Sequence, residues 1–436
     1  MAHHIHNFIL TIGGGVALRI ALTGFLSLVV AMGIGRFAFT PQVPLMVGEG
    51  QLTLTSAGLV AAANYLGYLL GAWDAMRARR HVEYRLHVGV WGAVLLTLVS
   101  ALADGPWSHG VVRFVIGCMS GWALVMAAGW TNEQLAHHGR PGLSAAVFAG
   151  PGVGITISGL LAVWIQGAAL SAAQGWVIYG VLALALIALI ARYLPRKGEL
   201  HRADTPPAPL ELTPALKRLV WSYSLAGYGY ILPATFLSQM AAARFPGSLF
   251  AQFVWPVFGA ASVIGSALSI LARTRGTAAQ RLAVVLWLQG LGVLAAALLP
   301  GLAGLVVGSL LVGGGFLCAV QLSLQCGREL APQHTRYLAG LLTTGYAIGQ
   351  LVGPMTSALS SHFTGQLEPA LWLAGVALFI GGALVCDAPE RPRRFQQFRP
   401  GHWIMCVSSR TMSARSAPAG QSLVTPAGEN NNAITQ

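Results

Sequence analysis

The hydrophobic positions of this chain form long continuous runs that are separated by short polar interruptions. Twelve of these runs approach or exceed the roughly 20 residues that an α-helix needs to cross a bilayer. None shows the strict alternation of a membrane β-barrel strand. The pattern therefore predicts an all-α membrane protein with twelve transmembrane helices, at 17–41, 55–74, 84–103, 107–132, 143–166, 171–194, 215–239, 248–273, 280–299, 301–326, 335–361 and 367–386.

Polar segments frame these runs and divide the chain. Residues 195–214, PRKGELHRADTPPAPLELTP, are charged and rich in proline, which predicts a cytoplasmic linker. It separates two six-helix bundles, residues 17–194 and residues 215–386. Residues 1–16 are predicted to be a cytoplasmic N-terminal segment. Residues 387–436, rich in Arg, Pro, Ser and Asn, are predicted to be a disordered cytoplasmic tail.

The two predicted bundles share short sequence elements. The matches recur at offsets of 194 or 195 residues: GIGR (33–36) with GYGY (227–230), Gly71 and Arg79 with Gly265 and Arg273, and 134–154 with 329–349. Recurrence at one period in corresponding helices predicts an internal duplication. Six helices return the chain to the side of the membrane on which it started, so both halves have the same orientation. They would be related by a pseudo-two-fold axis along the membrane normal.

Composition and charge agree with this organisation. Of the 436 residues 55% are hydrophobic and 9% are charged, whereas a soluble domain typically has about 25% charged residues. The net charge is +13, yet one set of alternate loops carries only Arg244. This positive-inside distribution predicts that both termini are cytoplasmic. It also explains the basic charge without a nucleic-acid partner.

Sequence signatures of enzymatic or metal chemistry are absent. The chain has no Walker loop, no HExxH motif and no glycine-rich turn after a strand. Its histidines and five cysteines lack metal-ligand spacing. We therefore expect a protein that is not an enzyme and that uses neither a cofactor nor a metal.

Small residues recur every four positions on several predicted helices. Such a stripe lies on one helix face and lets another backbone approach closely. We assign helix packing and conformational change to Gly33, Gly35, Gly67, Gly71, Gly117, Gly121, Gly150, Pro151, Gly154, Gly345, Gly349 and Gly353. Packing without any sliding between the halves is the alternative interpretation.

Two arginines stand at least five residues from the ends of predicted helices, Arg36 in the first and Arg113 in the fourth. An ionisable group in a bilayer is costly and usually faces a cavity or a partner. Arg36 precedes Pro41 by five residues, so it would lie about 7 Å inside the outer helix end. Snorkelling to the headgroups is the alternative for Arg36, and a hydrogen bond to a neighbouring helix carbonyl is the alternative for Arg113. None of the 13 carboxylates lies in mid-helix, so two unpaired cations would favour an anionic substrate.

Uncharged polar residues within the helices complete the predicted substrate and ion pathway. Tyr230 occupies the repeat position of Arg36 and is expected to face it across a cavity. A tyrosine ring with its hydroxyl suits a partly aromatic or amphipathic ligand. The further candidates are Tyr228, Asn64, Gln321, Gln325 and Gln350. Hydrogen bonding between helices is their alternative role.

Four motifs resemble those of a known transporter superfamily. They are RFVIGCMSG (113–121) in the fourth helix, AVFAGPGVGI (146–155) in the fifth, GAWDAMRARR (71–80) after the second and MGIGRFAFTPQVPLM (32–46) in the first. The third departs from the usual pattern, since Asp74 comes one residue early and the second glycine is missing. On these motifs the chain resembles the major facilitator superfamily, and the 32–46 motif resembles its YbfB/YjiJ-type branch.

The resemblance implies the major facilitator fold and alternating access, in which two rigid bundles rock around a central site. It also implies a cytoplasmic gate at Asp74, Arg77, Arg79 and Arg80. The fifth-helix motif resembles that of antiporters. We therefore predict secondary active transport of a small organic solute across the bacterial inner membrane by a monomer, with proton-coupled efflux favoured.

Two alternatives remain open at the level of sequence. Within transport, the alternative is uptake of an organic anion by symport. From another class, a membrane-embedded enzyme or a receptor is possible. Either would usually show a cluster of His, Asp or Glu at one membrane face or an appended soluble domain, and the sequence has neither.

Overall fold

The computed structural model describes residues 15–78, 81–199, 211–271 and 276–386. All regular secondary structure in these ranges is helical, so the all-α prediction is confirmed. The long helices are α1 (Val16–Gly48), α2 (Leu54–Arg77), α3 (Val82–Val99), α4 (Gly105–His137), α5 (Gly150–Gly167), α6 (Ala172–Ile190), α7 (Pro214–Arg244), α8 (Val254–Leu271), α9 (Ala278–Leu298), α10 (Gly301–Leu330), α11 (Thr335–Thr364) and α12 (Glu368–Cys386).

Several predicted features fall outside the described residues. They are residues 1–14 of the N-terminal segment, residues 200–210 of the linker, the whole predicted tail 387–436, and Arg79 and Arg80 of the predicted gate.

Ten helices in the described ranges are long and apolar enough to cross a membrane. The long helices α7 and α11 are not among them, although they contain 31 and 30 residues. The middle of helix α7 lies deep in the protein, because every residue from Gly229 to Ser238 is buried. A helix surrounded by protein needs no apolar stripe toward lipid, which explains why α7 tolerates its tyrosines, serines and threonines.

Helix α1 is longer than the sequence pattern predicts, and its geometry changes in the middle. The predicted end at Pro41 is wrong, because the helix continues to Gly48. Residues Val29–Arg36 form a π-helical segment, and Pro41 lies in the first turn of the following segment, Phe39–Gly48. A first-turn amide has no intrahelical acceptor, so proline is tolerated there. Arg36 thus lies twelve residues before Gly48, about 18 Å deep along the helix axis at 1.5 Å per residue.

The start of the fifth helix differs by as much, seven residues, and the other predicted boundaries differ by less. The fifth helix begins at Gly150 rather than at 143, because two short helical turns, Pro141–Leu143 and Ser144–Val147, precede it. The Pro300-Gly301 turn does separate α9 from α10. Gly301 has a φ of +81°, a left-handed conformation that glycine adopts at little cost.

Glycines let the helices approach one another backbone to backbone. Helices α2 and α4 interlock, since a Cβ on Gly67 would lie 1.9 Å from the Phe114 carbonyl oxygen and one on Gly117 would lie 2.1 Å from that of Asn64. On α1, a Cβ on Gly33 would lie 2.4 Å from the Gly154 Cα of α5. The remaining predicted glycines face close neighbours as well: Gly35 at Ala93, Gly71 at Cys118, Gly121 at Ala72, Gly150 at Phe25, Gly345 and Gly349 at Ser224, and Gly353 at Ile231.

Candidate functional site

A cavity of about 540 Å³ lies among helices α1, α2, α4, α5, α7, α10 and α11. Its inner end is formed by Arg36, Tyr230 and Gln350. From there it extends to helix ends, where Asn132 of α4 and Arg328 of α10 line it. Its lining within the described residues includes no aspartate or glutamate. The cavity therefore joins a buried cation to the end of the molecule that carries the α4–α5 and α10–α11 loops.

Arg36 is 3% exposed and sits between a neutral amide and aromatic rings. Its Nη2 donates a hydrogen bond to Gln350 Oε1 at 2.8 Å. Its guanidinium carbon lies 3.9 Å from the ring centroid of Tyr68 and 4.7 Å from that of Tyr65. Such cation–π contacts stabilise a desolvated cation without neutralising it. Arg36 Nε has no hydrogen-bond partner, so a donor stays unused beside the cavity.

Gln350 connects Arg36 to an aromatic wall on the opposite side. Its Nε2 donates to the hydroxyl of Tyr230. The Tyr230 ring stacks on Phe316, with centroids 4.8 Å apart, and on Tyr346, with centroids 5.5 Å apart. The two repeat-equivalent positions, 36 and 230, are thus joined through one amide. The cavity therefore presents a cation and several aromatic side chains in the same space.

The sequence analysis missed three aromatic residues of this site, Tyr68, Phe316 and Tyr346. A usable signal exists for the tyrosines, because both lie in the middle of their predicted helices. Interfacial tyrosines that anchor a membrane helix cluster near its ends instead. Tyr68 and Tyr346 also neighbour Gly67 and Gly345, which belong to the small-residue stripes.

Arg113 has a different setting, although it is also fully buried. Its Nη1 donates to the Gly35 carbonyl at 3.0 Å, and its Nη2 donates to Ser100 Oγ. The guanidinium carbon lies 4.4 Å from the ring centroid of Trp176. Arg113 is absent from the cavity lining. This side chain therefore ties α4 to the π-helical segment of α1 and to the C-terminal end of α3.

Most of the other predicted pathway residues join neighbouring helices rather than line the cavity. Gln350 is the one predicted amide residue that lines the cavity. The contacts between helices are Asn64 Nδ2 to the Arg113 carbonyl at 2.8 Å, Gln321 Nε2 to Ser266 Oγ at 2.6 Å, the Tyr228 hydroxyl to Thr356 Oγ1 at 3.3 Å, and Arg281 Nη2 to Gln325 Oε1 at 3.5 Å. Gln325 Nε2 also donates to Glu329 Oε1 of the same helix at 2.9 Å.

The described part of the predicted gate is centred on Asp74. Its carboxylate accepts hydrogen bonds from Arg85 Nε and from Trp122 Nε1, both at 2.8 Å. Arg77 lies over the Trp73 ring, with its guanidinium carbon 4.0 Å from the centroid. Asp74 therefore fastens the C-terminal end of α2 to the start of α3 and to the middle of α4.

The end of the molecule opposite the cavity opening is closed by contacts between the chain before the linker and the chain after it. Thr40 Oγ1 donates to the Ala234 carbonyl at 2.6 Å. The hydroxyls of Tyr65 and Thr235 lie 3.2 Å apart. Nearer the helix ends, a Cβ on Gly58 would lie 3.0 Å from Ala358 Cβ, which shows how closely α2 and α11 approach. The cavity is therefore accessible from one end.

Comparison with known families identifies this arrangement. The model of a family described as the uncharacterised MFS-type transporter YbfB matches residues 28–386. The chain belongs to the YbfB-type family of major facilitator superfamily transporters. The predicted superfamily and branch are both confirmed. Members of the YbfB-type family are membrane transporters, so the chain is a multi-pass transporter and not an enzyme.

Individual relatives of this YbfB-type transporter agree with that membership. A gallate transporter of Pseudomonas putida is 29% identical over 206 residues, a match that covers 46% of this chain and 41% of that protein. The matched region therefore spans less than half of the relative's length. Among solved structures, the nucleoside transporter NupG is 14% identical with a TM-score of 0.64, covering 86% of this chain and 100% of that one.

A second solved structure shares the fold. It is a bacterial homologue of the human lysosomal transporter Spinster in an inward-facing and occupied conformation. It is 16% identical, with a TM-score of 0.65, and the match covers 86% of this chain and 96% of that one. At such identities both structures establish the fold alone.

Proposed function

We propose that this protein is a secondary active transporter that binds a small organic anion at Arg36 and moves it by alternating access. The observation that carries the proposal is the setting of that side chain. A permanent cation lines a cavity whose described lining has no carboxylate. In a low-dielectric space such a cation attracts an anionic ligand strongly.

The neighbours of Arg36 favour an aromatic carboxylate as the substrate. Arg36 donates a hydrogen bond to the neutral amide of Gln350, and a substrate carboxylate would take the place of that amide. A carboxylate would use Nη2 together with the unpartnered Nε in the bidentate geometry that arginine prefers. The side chains of Tyr230, Tyr346 and Phe316 already stack on one another and line the cavity, so they would contact the substrate ring at their edges. The name of the Pseudomonas putida relative supports this class, since gallate is a trihydroxybenzoate.

Alternating access requires two bundles that move around the site. We propose that α7 and α11 also cross the membrane, which gives twelve spans in two six-helix bundles, residues 17–194 and 215–386. Two contacts at the predicted repeat offset support this: Thr40 bonds directly to Ala234, and Arg36 reaches Tyr230 through Gln350. Residues that meet their own repeat equivalents lie close to a two-fold axis.

The proposed orientation follows from the loop charges. Positive-inside counting assigns the cavity opening to the cytoplasm, together with both termini. The contacts of Thr40 and Tyr65 would then close the opposite, outer end of a cytoplasm-facing state of a monomer in the bacterial inner membrane. The cluster around Asp74 would be part of the cytoplasmic gate.

Direction and coupling have two candidates. Proton-coupled efflux is favoured by the fifth-helix motif, in which Pro151 lines the cavity. Uptake by proton symport is the second candidate, and the cation at Arg36 favours it. One co-transported proton neutralises one carboxylate, so uptake of a monoanion would not work against an inside-negative membrane potential.

Transport in proteoliposomes tests the proposal. The purified chain is reconstituted and assayed with gallate, benzoate and a quaternary ammonium ion, with a pH gradient of either sign. We expect saturable transport of the two carboxylates and none of the cation. The sign of the gradient that accelerates transport separates efflux from uptake.

The matched variants are Arg36→Ala and Lys217→Ala. Lys217 is an exposed cation near the start of α7 and is absent from the cavity lining. Arg36→Ala should abolish carboxylate transport, and Lys217→Ala should leave it unchanged. Transport of the quaternary ammonium ion by both variants would overturn the anion proposal.

A further inference from the structure

A second cavity, of about 470 Å³, opens between α8, α9 and α10, with Arg36 absent from its lining. Its rim consists of apolar side chains that are 42–57% exposed: Leu268, Val284, Leu288 and Leu310. Gly314 and Cys318 also line it. A Cβ on Gly314 would meet nothing nearer than the Ala261 carbonyl at 3.7 Å, so the missing side chain leaves room for a guest. We name this space the α8–α10 groove.

Arg281 stands at one end of the groove with much of its hydrogen-bonding capacity unused. Its Nη1 donates to the Ser269 carbonyl at 3.4 Å, and its Nη2 donates to Gln325 Oε1 at 3.5 Å. Both contacts are at the long limit of a hydrogen bond. Arg281 Nε is buried without a partner. A guanidinium carries five N–H donors, so this one can still bind an anion.

The groove has the length of one membrane leaflet. Along α9 it extends from Arg281 to Leu288, and along α10 from Leu310 to Leu322. These stretches measure about 10 Å and about 18 Å at 1.5 Å per residue. Half of the bilayer hydrocarbon core is about 15 Å. Arg281 is close to the N-terminal end of α9, so the cation lies at headgroup depth while the apolar part continues toward the bilayer centre.

We propose that the α8–α10 groove binds an anionic phospholipid, whose phosphate contacts Arg281 and whose acyl chain lies along Gly314. An apolar channel with a cation at its polar end complements a lipid of this kind. Basic pockets between transmembrane helices on the cytoplasmic side are suited to anionic headgroups. The site is separate from the Arg36 cavity, so the proposal does not depend on the substrate.

Native mass spectrometry of the full chain in detergent tests this site. The protein is mixed with equal amounts of phosphatidylglycerol and phosphatidylcholine, which share acyl chains and differ in headgroup charge. We expect the phosphatidylglycerol adduct to exceed the phosphatidylcholine adduct by about five-fold, the selectivity that one cation near a membrane surface provides. Arg281→Ala should reduce the ratio to about one, whereas Arg281→Lys should retain most of it.

A second pair of variants tests the apolar part. Gly314→Leu fills the groove and should lower the adducts of both lipids, whereas Gly110→Leu should not. Gly110 is a matched control because it lies in α4, outside the groove, and a Cβ there would also meet nothing within 4 Å. Unchanged lipid selectivity in Arg281→Ala, or unchanged adducts in Gly314→Leu, would overturn the proposal. So would displacement of the lipid by inorganic phosphate alone.

Discussion

Arg36 and Arg113 are two buried arginines on neighbouring helices, yet they are held in opposite ways. Arg113 donates to the Gly35 carbonyl, which belongs to the backbone and cannot leave, and to Ser100. Arg36 donates to the side-chain amide of Gln350, which comes from beyond the predicted linker. Arg113 lies outside the cavity, whereas Arg36 lines it.

The comparison shows that burial of a cation does not by itself indicate a transport role. What distinguishes the two is whether their partners can be replaced. A guanidinium bound to a backbone carbonyl cross-links helices. One bound to a neutral side-chain amide and lining a cavity is available to a ligand.

The largest expected effect separates the two arginines by stability. Arg113→Ala leaves the Gly35 carbonyl without its donor and opens a void, so the free energy of unfolding should fall by about 3–5 kcal/mol. Arg36→Ala enlarges an existing cavity and should cost about 1 kcal/mol or less. Thermal unfolding of both variants in detergent measures the difference. Equal losses of stability would contradict the assignment of separate roles.

The next effect comes from placing a fixed anion beside Arg36. Gln350→Glu puts a carboxylate where the structure has an amide, and this carboxylate should occupy the guanidinium permanently. We expect carboxylate affinity to fall about 100-fold, which corresponds to the cost of losing a buried charge partner. Equilibrium binding of gallate to the purified protein measures it. Gln350→Leu is the neutral control, and equal affinity in the two variants would contradict the role of charge.

A smaller effect is expected when lysine replaces each arginine. Arg36→Lys keeps the charge but loses the bidentate fork, so affinity should fall about ten-fold with little change in stability. In Arg113→Lys a single ammonium group replaces the two guanidinium nitrogens that donate to the Gly35 carbonyl and to Ser100 Oγ. That variant should lose about 1–2 kcal/mol of stability and retain substrate affinity if it folds. Substrate binding and thermal unfolding are measured on the same samples. They show whether Arg36→Lys mainly loses affinity and Arg113→Lys mainly loses stability.

The smallest effect concerns single hydroxyl groups. Tyr230→Phe removes the acceptor of the Gln350 amide and should lower affinity about five-fold, or about 1 kcal/mol. Tyr179→Phe is the matched control, because the Tyr179 hydroxyl donates to the Ser158 carbonyl at 2.8 Å, away from the cavity. It should change stability by a similar amount and leave affinity unaltered. An affinity loss in both variants would point to a general packing effect.

Sequence reasoning located the cation of the site but not its surroundings. Arg36 is recognisable because a charge interrupts an apolar run. Tyr68 and Tyr346 have only the weaker signal of a position in mid-helix, which does not tell whether the ring faces a ligand or a neighbouring helix. The depth of Arg36 was predicted wrongly as well. Pro41 normally predicts a helix end, but a π-helical segment before it places this proline in a first turn.

The sequence by itself determined the helical membrane class, the family and the presence of costly cations in apolar helices. Hydrophobic run length and charge are local properties that any fold of this chain must satisfy. Only the tertiary structure decided which arginine meets the cavity and which one fastens helices. That choice depends on the rotation of each helix and on partners more than 300 residues away in the chain, such as Gln350 for Arg36. Helix rotation is set by packing among many glycines and side chains at once, and no single segment encodes it.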